Sequence, residues 1–184
     1  MDEADRMFDL GFEPQISKIL DNIRPDRQTC MFTATFPKQI EALAKRILTK
    51  PLEIVVGLKG ATSKNVEQHV EVLPKSQSFI RLLQLLDQYS NEYTIIFTDS
   101  QEECIELWKQ LFKQGFSPVL VHGAMDQEDR LDSIDKFKRG ESKIFISTSI
   151  SSRGLDFPNC GMVINFRCPN HMEDYIHRIG IYHI

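Results

Sequence analysis

The sequence predicts an α/β fold, a parallel β-sheet covered by helices on both faces. Three observations carry this reading. Four short β-rich runs, YTIIF, PVLVH, KIFIS and GMVINF, lie between residues 93 and 166. Amphipathic segments separate the first three, CIELWKQLFKQG and RLDSIDKFKRG, with apolar residues at helical spacing. Strands alternating with helices form parallel sheets, because the helix carries the chain back to start the next strand in the same direction. Finally, the runs TIIF, VLVH and IFIS are followed by TDSQ, HGAMDQEDR and TSISSRGLD. Those loops would lie at the carboxyl ends of the strands, where open α/β sheets take their ligands.

The earlier elements are read in order. FEPQISKILDNI is helical, with Phe12, Ile16, Ile19 and Leu20 on one face. TCMFTATF fits a short buried strand, and Pro37 suits a first helical residue. Ile40, Leu43, Ala44 and Ile47 supply that helix's apolar stripe, and LEIVV reads as a further strand. GLKGATSKN lacks periodicity and reads as a linker. VEQHVEVL alternates as a strand, and FIRLLQLLDQY is helical. The expected domains are 1–57, a linker at 58–65, and 66–184. Residues 1–57 hold two helices and two strands by this reading, and a two-stranded sheet is marginal in water. That portion is expected to pack poorly by itself.

Composition narrows the classes. Hydrophobic residues make 41% and charged residues 26%, as in a globular protein. No apolar run approaches the roughly 20 residues that span a bilayer, and the acidic start lacks a signal-peptide core. Cys30, Cys104, Cys160 and Cys168 form no CxxC pair, which predicts reduced thiols of an intracellular protein. With a net charge of −4 and a pI near 5.7, the chain would not grip nucleic acid by bulk charge. Any such contact would come from a few placed side chains and backbone amides.

The candidate chemistry begins at MDEADRMFDLGF, where Asp2, Glu3, Asp5 and Asp9 cluster. An Asp-Glu pair at a strand end can hold Mg²⁺ through Asp2 while Glu3 orients or deprotonates an attacking water. The same residues equally suit an acidic helix start. Thr33 and Thr35 present hydroxyls that could tie the acidic cluster to another part of the protein. Gly123, Gln127 and Arg130 follow VLVH, and Asp126 could cap the helix there. Thr148, Gly154 and Asp156 follow KIFIS, with Asp156 suited to a ribose hydroxyl. Tyr175, His177 and Arg178 lie on a predicted helix, where a His-Arg pair alone reads as surface charge.

In this order the segments DEAD (2–5), TAT (33–35), IIF (95–97), HG with QEDR (122–130), TSISSRGLD (148–156) and YIHRIG (175–180) resemble the DEAD-box RNA helicases of superfamily 2. MFDLGFEPQI, IRPDRQT and PNHMEDYIHRIG look like the spliceosomal members that remodel the branch-site complex. The resemblance implies the C-terminal part of a first RecA-like domain followed by most of a second, and an ATP-dependent RNA helicase using ATP and Mg²⁺. It assigns Mg²⁺ (through water) to Asp2 and the catalytic base to Glu3. Asp5, Thr33, Thr35, His177 and Arg178 would couple nucleotide state to domain closure, and Asp156 would face the ribose. Gly123, Gln127, Arg130, Thr148 and Gly154 would line the path of single-stranded RNA. Implied partners are single-stranded RNA or an RNA duplex and spliceosomal proteins. A monomer away from membranes, in the nucleus, is implied as well.

The chain also departs from the family. Ser149 stands where the family commonly has Asp, which would loosen a contact. GLKGATSK lacks the G-x-x-x-x-G-K-S/T spacing of a phosphate-binding loop. The family continues HRIGRTGR, whereas this chain reads HRIGIYHI, so Ile181 replaces the first later arginine. An arginine finger is worth roughly 10³–10⁵ in rate. The expectation is a partial helicase sequence, truncated at both ends and catalytically incompetent as it stands. Two readings compete: a natural non-catalytic RNA-binding or partner-binding module, and a DNA-directed member of the superfamily, which would be indifferent to the 2′-hydroxyl. The sequence does not name the RNA or the partners.

Overall fold

A computed structural model describes residues 1–9, 11–56, 66–149, 157 and 159–181, without the side chains of Arg6, Phe8, Asp9 and Glu173. The chain divides into two compact units, Met1–Ala61 and Thr62–Ile184.

In the first unit, helices α1 (Ala4–Asp9), α2 (Glu13–Asn22) and α3 (Lys38–Ile47) surround a small core. α3 follows Pro37, which is its N-cap, one position before the place its ring geometry suggested. Ile40, Leu43 and Ala44 are buried along one side of α3, at the spacing a helical face requires. Of the apolar face read into α2, Ile16 alone is buried, while Phe12 and Ile19 are exposed.

Two predicted strands do not form here. TCMF forms no strand, although it bonds to the chain's first residues. Phe32 N–H donates to Met1 O at 2.9 Å, and Ala4 N–H to Phe32 O at 3.0 Å. LEIVV also carries no strand, with Leu52 85% and Val56 91% exposed. In the second unit VEQHVEVL fails likewise, with Val72 96% exposed. β-Propensity is a fit to a pleated surface among neighbours, and these segments find no ladder to join. Residues 66–73 are instead fastened by side chains. Arg81 makes two bonds of 2.7 Å to Glu71, and Tyr175 Oη donates to Gln68 Oε1.

The second unit is built on four parallel strands, β1 (Tyr93–Thr98), β2 (Val119–Val121), β3 (Ile144–Thr148) and β4 (Cys160–Asn165), in the order β2-β3-β1-β4. Alternation sends successive side chains to opposite faces. Ile96, Ile144 and Ile146 meet Leu82 and Leu86 of α4 (Lys75–Gln88) and Cys104, Leu107 and Leu111 of α5 (Gln101–Lys113). Ile95, Phe97 and Phe145 meet Ile134 and Phe137 of α6 (Gln127–Lys138). On that side Phe137, Phe145 and Phe157 form an aromatic trio with ring centroids 5.0–5.2 Å apart. The last helix, α7 (Met172–Ile179), buries Ile179 and Arg178. The α/β reading of this half is therefore correct, and its three loop-bearing strand ends lie together at one edge of the sheet.

Candidate functional site

In the first unit the acidic block and the hydroxyl block meet. Asp5, 2% exposed, accepts hydrogen bonds from Thr35 N–H at 2.8 Å and from Thr35 Oγ1 at 2.7 Å. Its own N–H donates to Thr33 Oγ1 at 3.3 Å, and Thr33 Oγ1 donates to Thr35 O at 2.6 Å. Asp5 sits in the first turn of α1, where the helix dipole favours an acidic side chain. Asp2 remains exposed and Glu3 half-buried. Glu3 has φ of 49°, a left-handed conformation uncommon for a side-chain-bearing residue. It places Glu3 N–H 3.0 Å from Asp2 Oδ1. Asp2 thus stands at the surface, Glu3 is partly covered, and Asp5 is locked inward.

In the second unit the described candidates Gly123 and Thr148 lie at the carboxyl ends of β2 and β3. Gly123 follows β2, and a Cβ there would come within 3.3 Å of Gln101 Nε2. His122 Nδ1 accepts the Ala124 N–H at 3.3 Å, shaping that turn. Asp126 is the N-cap of α6, but its side chain makes no cap hydrogen bond, which corrects the capping role read for it. Gln127 is exposed on the first turn and Arg130 is half-buried one turn further. Thr148 ends β3 and is buried. Gly154 and Asp156 lie outside the described residues.

Arg178 is not surface charge. It is 4% exposed, and its Nε–H donates to Ser149 Oγ at 2.7 Å. Nη1 donates to Asn165 Oδ1 at 3.0 Å and Arg167 O at 3.2 Å, and Nη2 lies 3.6 Å from Asp99 Oδ1. The guanidinium also lies over the Phe97 ring, 5.1 Å from its centroid. Burial pushes its pKa down, and the charges of Asp99 and Asp174 oppose that shift. Ser149, the departure noted in the sequence, is thus a partner of this arginine. Arg167 extends the network to Glu103 at 2.9 Å, and Glu103 Oε2 accepts the Asp99 N–H at 3.3 Å. Sequence reasoning does not single out Asp99, Asn165 or Arg167. Each ends or follows a strand run, and that position is the available signal. His177 is half-buried on the same helix, and Ile181 packs against the aromatic side of the core.

The family profile described as helicase conserved C-terminal domain matches residues 74–181, and that of the DEAD/DEAH box helicases matches residues 1–43. The chain belongs to the DEAD-box helicases. It is 50% identical over 184 residues to the pre-mRNA-processing ATP-dependent RNA helicase prp11 of Schizosaccharomyces pombe, covering 98% of this chain and 18% of that protein. It is 49% identical over 181 residues to the probable ATP-dependent RNA helicase DDX46 of Homo sapiens, with 98% and 18% covered. The chain therefore spans about a fifth of the curated relatives it matches. Among solved structures of DEAD-box helicases, Dbp5 of S. cerevisiae bound to RNA and ADP BeF3 superposes with a TM-score of 0.87 at 28% identity, covering 98% of this chain and 48% of that one. The yeast DEAD-box splicing factor Prp28 gives 0.61 at 35% identity, covering 98% and 41%. The α/β fold is that of the RecA-like domains these helicases carry.

Proposed function

We propose that the protein is an ATP-dependent RNA helicase that couples ATP hydrolysis to RNA or RNP remodelling in pre-mRNA splicing, and that it works in the nucleus. The observation that carries this reading is the Asp5–Thr35 lock, which joins the acidic block to the hydroxyl block while Asp2 remains exposed. The similarity to prp11 and DDX46 supports the splicing assignment.

Asp2 and Glu3 form the hydrolytic pair, Asp2 for Mg²⁺ through water and Glu3 for the attacking water. No group of three or more metal-ligating side chains occurs among the described residues. A single exposed carboxylate fits an ion that keeps most of its waters and takes phosphates from the nucleotide. When bound, Mg²⁺ would supply charge neutralisation at those phosphates. Asp156 faces the ribose. Asp5, Thr33, Thr35, His177 and Arg178 couple nucleotide state to the grip on RNA. Gly123, Gln127, Arg130, Thr148 and Gly154 line the RNA path through backbone contacts, which suits an acidic protein that does not read sequence. The functional domains are 1–57 and 66–184, joined by 58–65, in a monomer that works with spliceosomal proteins.

Assayed as 184 residues alone, the chain will not turn over ATP. It contains no G-x-x-x-x-G-K-S/T run, and Ile181 stands where the family has arginine. RNA-stimulated hydrolysis that Glu3→Gln abolishes would overturn this. Binding of an oligouridylate, followed by fluorescence anisotropy, tests the RNA path. Arg130→Ala should weaken it about fivefold, and the salt slope should be shallow, about −0.7 for each phosphate neutralised. Affinity unchanged by Arg130→Ala would remove that path. The self-contained sheet of the second unit also supports a second reading, a non-catalytic RNA-binding or partner-binding module. Oligouridylate binding without any response to ATP would favour it.

A further inference from the structure

A buried guanidinium offers five N–H donors in a fixed plane, so it can hold several chain segments in one arrangement. Arg178 does this at the exits of three strands. Asp99 follows β1, Ser149 follows β3, and Asn165 ends β4. The exit of β2 is tied separately, by Ser147 Oγ donating to Val121 O at 3.1 Å. Of the contacts to Arg178, the one at β3 is made by a neutral hydroxyl. A carboxylate at that position would add ion pairing to a hydrogen bond in which the donor alone is charged. The carboxylate of Asp99 lies at the longer distance of 3.6 Å and at a more exposed position.

We infer that Arg178 is a positioning residue that latches the exits of β1, β3 and β4, and that Ser149 sets how tightly the β3 exit is held. This deepens the proposed function and rests on it, because Ser149 adjoins Thr148, assigned above to the RNA path. Arg178 acts on that path through Ser149 and does not itself contact RNA. Ser149 is half-buried at a turn, so its substitution leaves the sheet's core intact.

The test uses the 184-residue chain with Ser149→Ala, Ser149→Thr and Ser149→Asp. Two readouts are taken: hydrogen exchange of the Arg178 Nε–H by NMR, and oligouridylate affinity by anisotropy. Melting temperatures serve as a check on folding. Ser149→Ala should speed Nε–H exchange about tenfold or more, and Ser149→Asp should slow it by a similar factor. Ser149→Ala should weaken oligouridylate binding about threefold to tenfold, and Ser149→Thr, which keeps the hydroxyl, should restore both readouts. Equal exchange in wild type and Ser149→Ala overturns the latch. A loss of affinity that Ser149→Thr does not restore overturns its link to RNA. If the wild type binds no oligouridylate, the RNA reading fails, and the exchange series alone decides the latch.

Discussion

Asp5 joins two segments thirty positions apart through one carboxylate oxygen, which takes both the N–H and the hydroxyl of Thr35. Removing a charged acceptor leaves those buried donors unsatisfied, at about 1–3 kcal/mol for each. Asp5→Ala should therefore destabilise the first unit by about 2–4 kcal/mol, seen as faster amide exchange at Thr35 with the second unit unchanged. The cysteines permit a second prediction. Burial pushes the Cys104 thiol up to about 12 and the Cys160 thiol up to about 11. Cys30 and Cys168 are exposed. Iodoacetamide at pH 8 should label Cys30 and Cys168 of the folded chain and spare the other two, as mass spectrometry would report. Because the folded thiol pKa lies above the unfolded one, this burial stabilises the fold below about pH 9. The contribution is lost as pH rises toward the raised values, so alkaline titration should bring the labelling of Cys104 and Cys160 together with unfolding.

Among the elements, α6 shows how a short signal fixes a boundary. It is closed by Gly140, which follows the C-cap Arg139 and has a φ of 75°. Gly140 N–H donates to Phe137 O at 3.0 Å and Glu141 N–H to Lys136 O at 3.0 Å, a Schellman-type closure. A Cβ at Gly140 would lie 2.4 Å from Tyr93 Oη. Gly140→Ala should cost about 1–2 kcal/mol, as a lower urea midpoint with unchanged slope. This stop was legible in the sequence, since RLDSIDKFKRG ends its apolar spacing at a glycine. The strands divide by a different rule. YTIIF and KIFIS form because each finds neighbours on the sheet, with β1 paired to both β3 and β4. TCMF, LEIVV and VEQHVEVL have comparable composition, yet they form no strand because composition does not supply a partner.

For the whole molecule, the two units differ in what holds them. The second has a sheet with apolar side chains packed on both faces, whereas the described residues of the first hold three short helices around a small core. Amide exchange should be slowest in β1 and β3 and faster throughout residues 1–56. Slower exchange in the first unit would contradict this. The sequence by itself determined the α/β class of the second unit, its helices, and the polar loops that follow its strands, because hydrophobic period and turn residues are local properties. It also placed Asp5 with Thr33 and Thr35 as candidates. Only the tertiary structure decided that Asp5 turns inward while Asp2 stays exposed, and that Arg178 is a buried tie to Ser149. Those outcomes depend on which strand ends become neighbours, and neighbours distant in sequence are chosen by packing and hydrogen-bond satisfaction rather than by any local pattern.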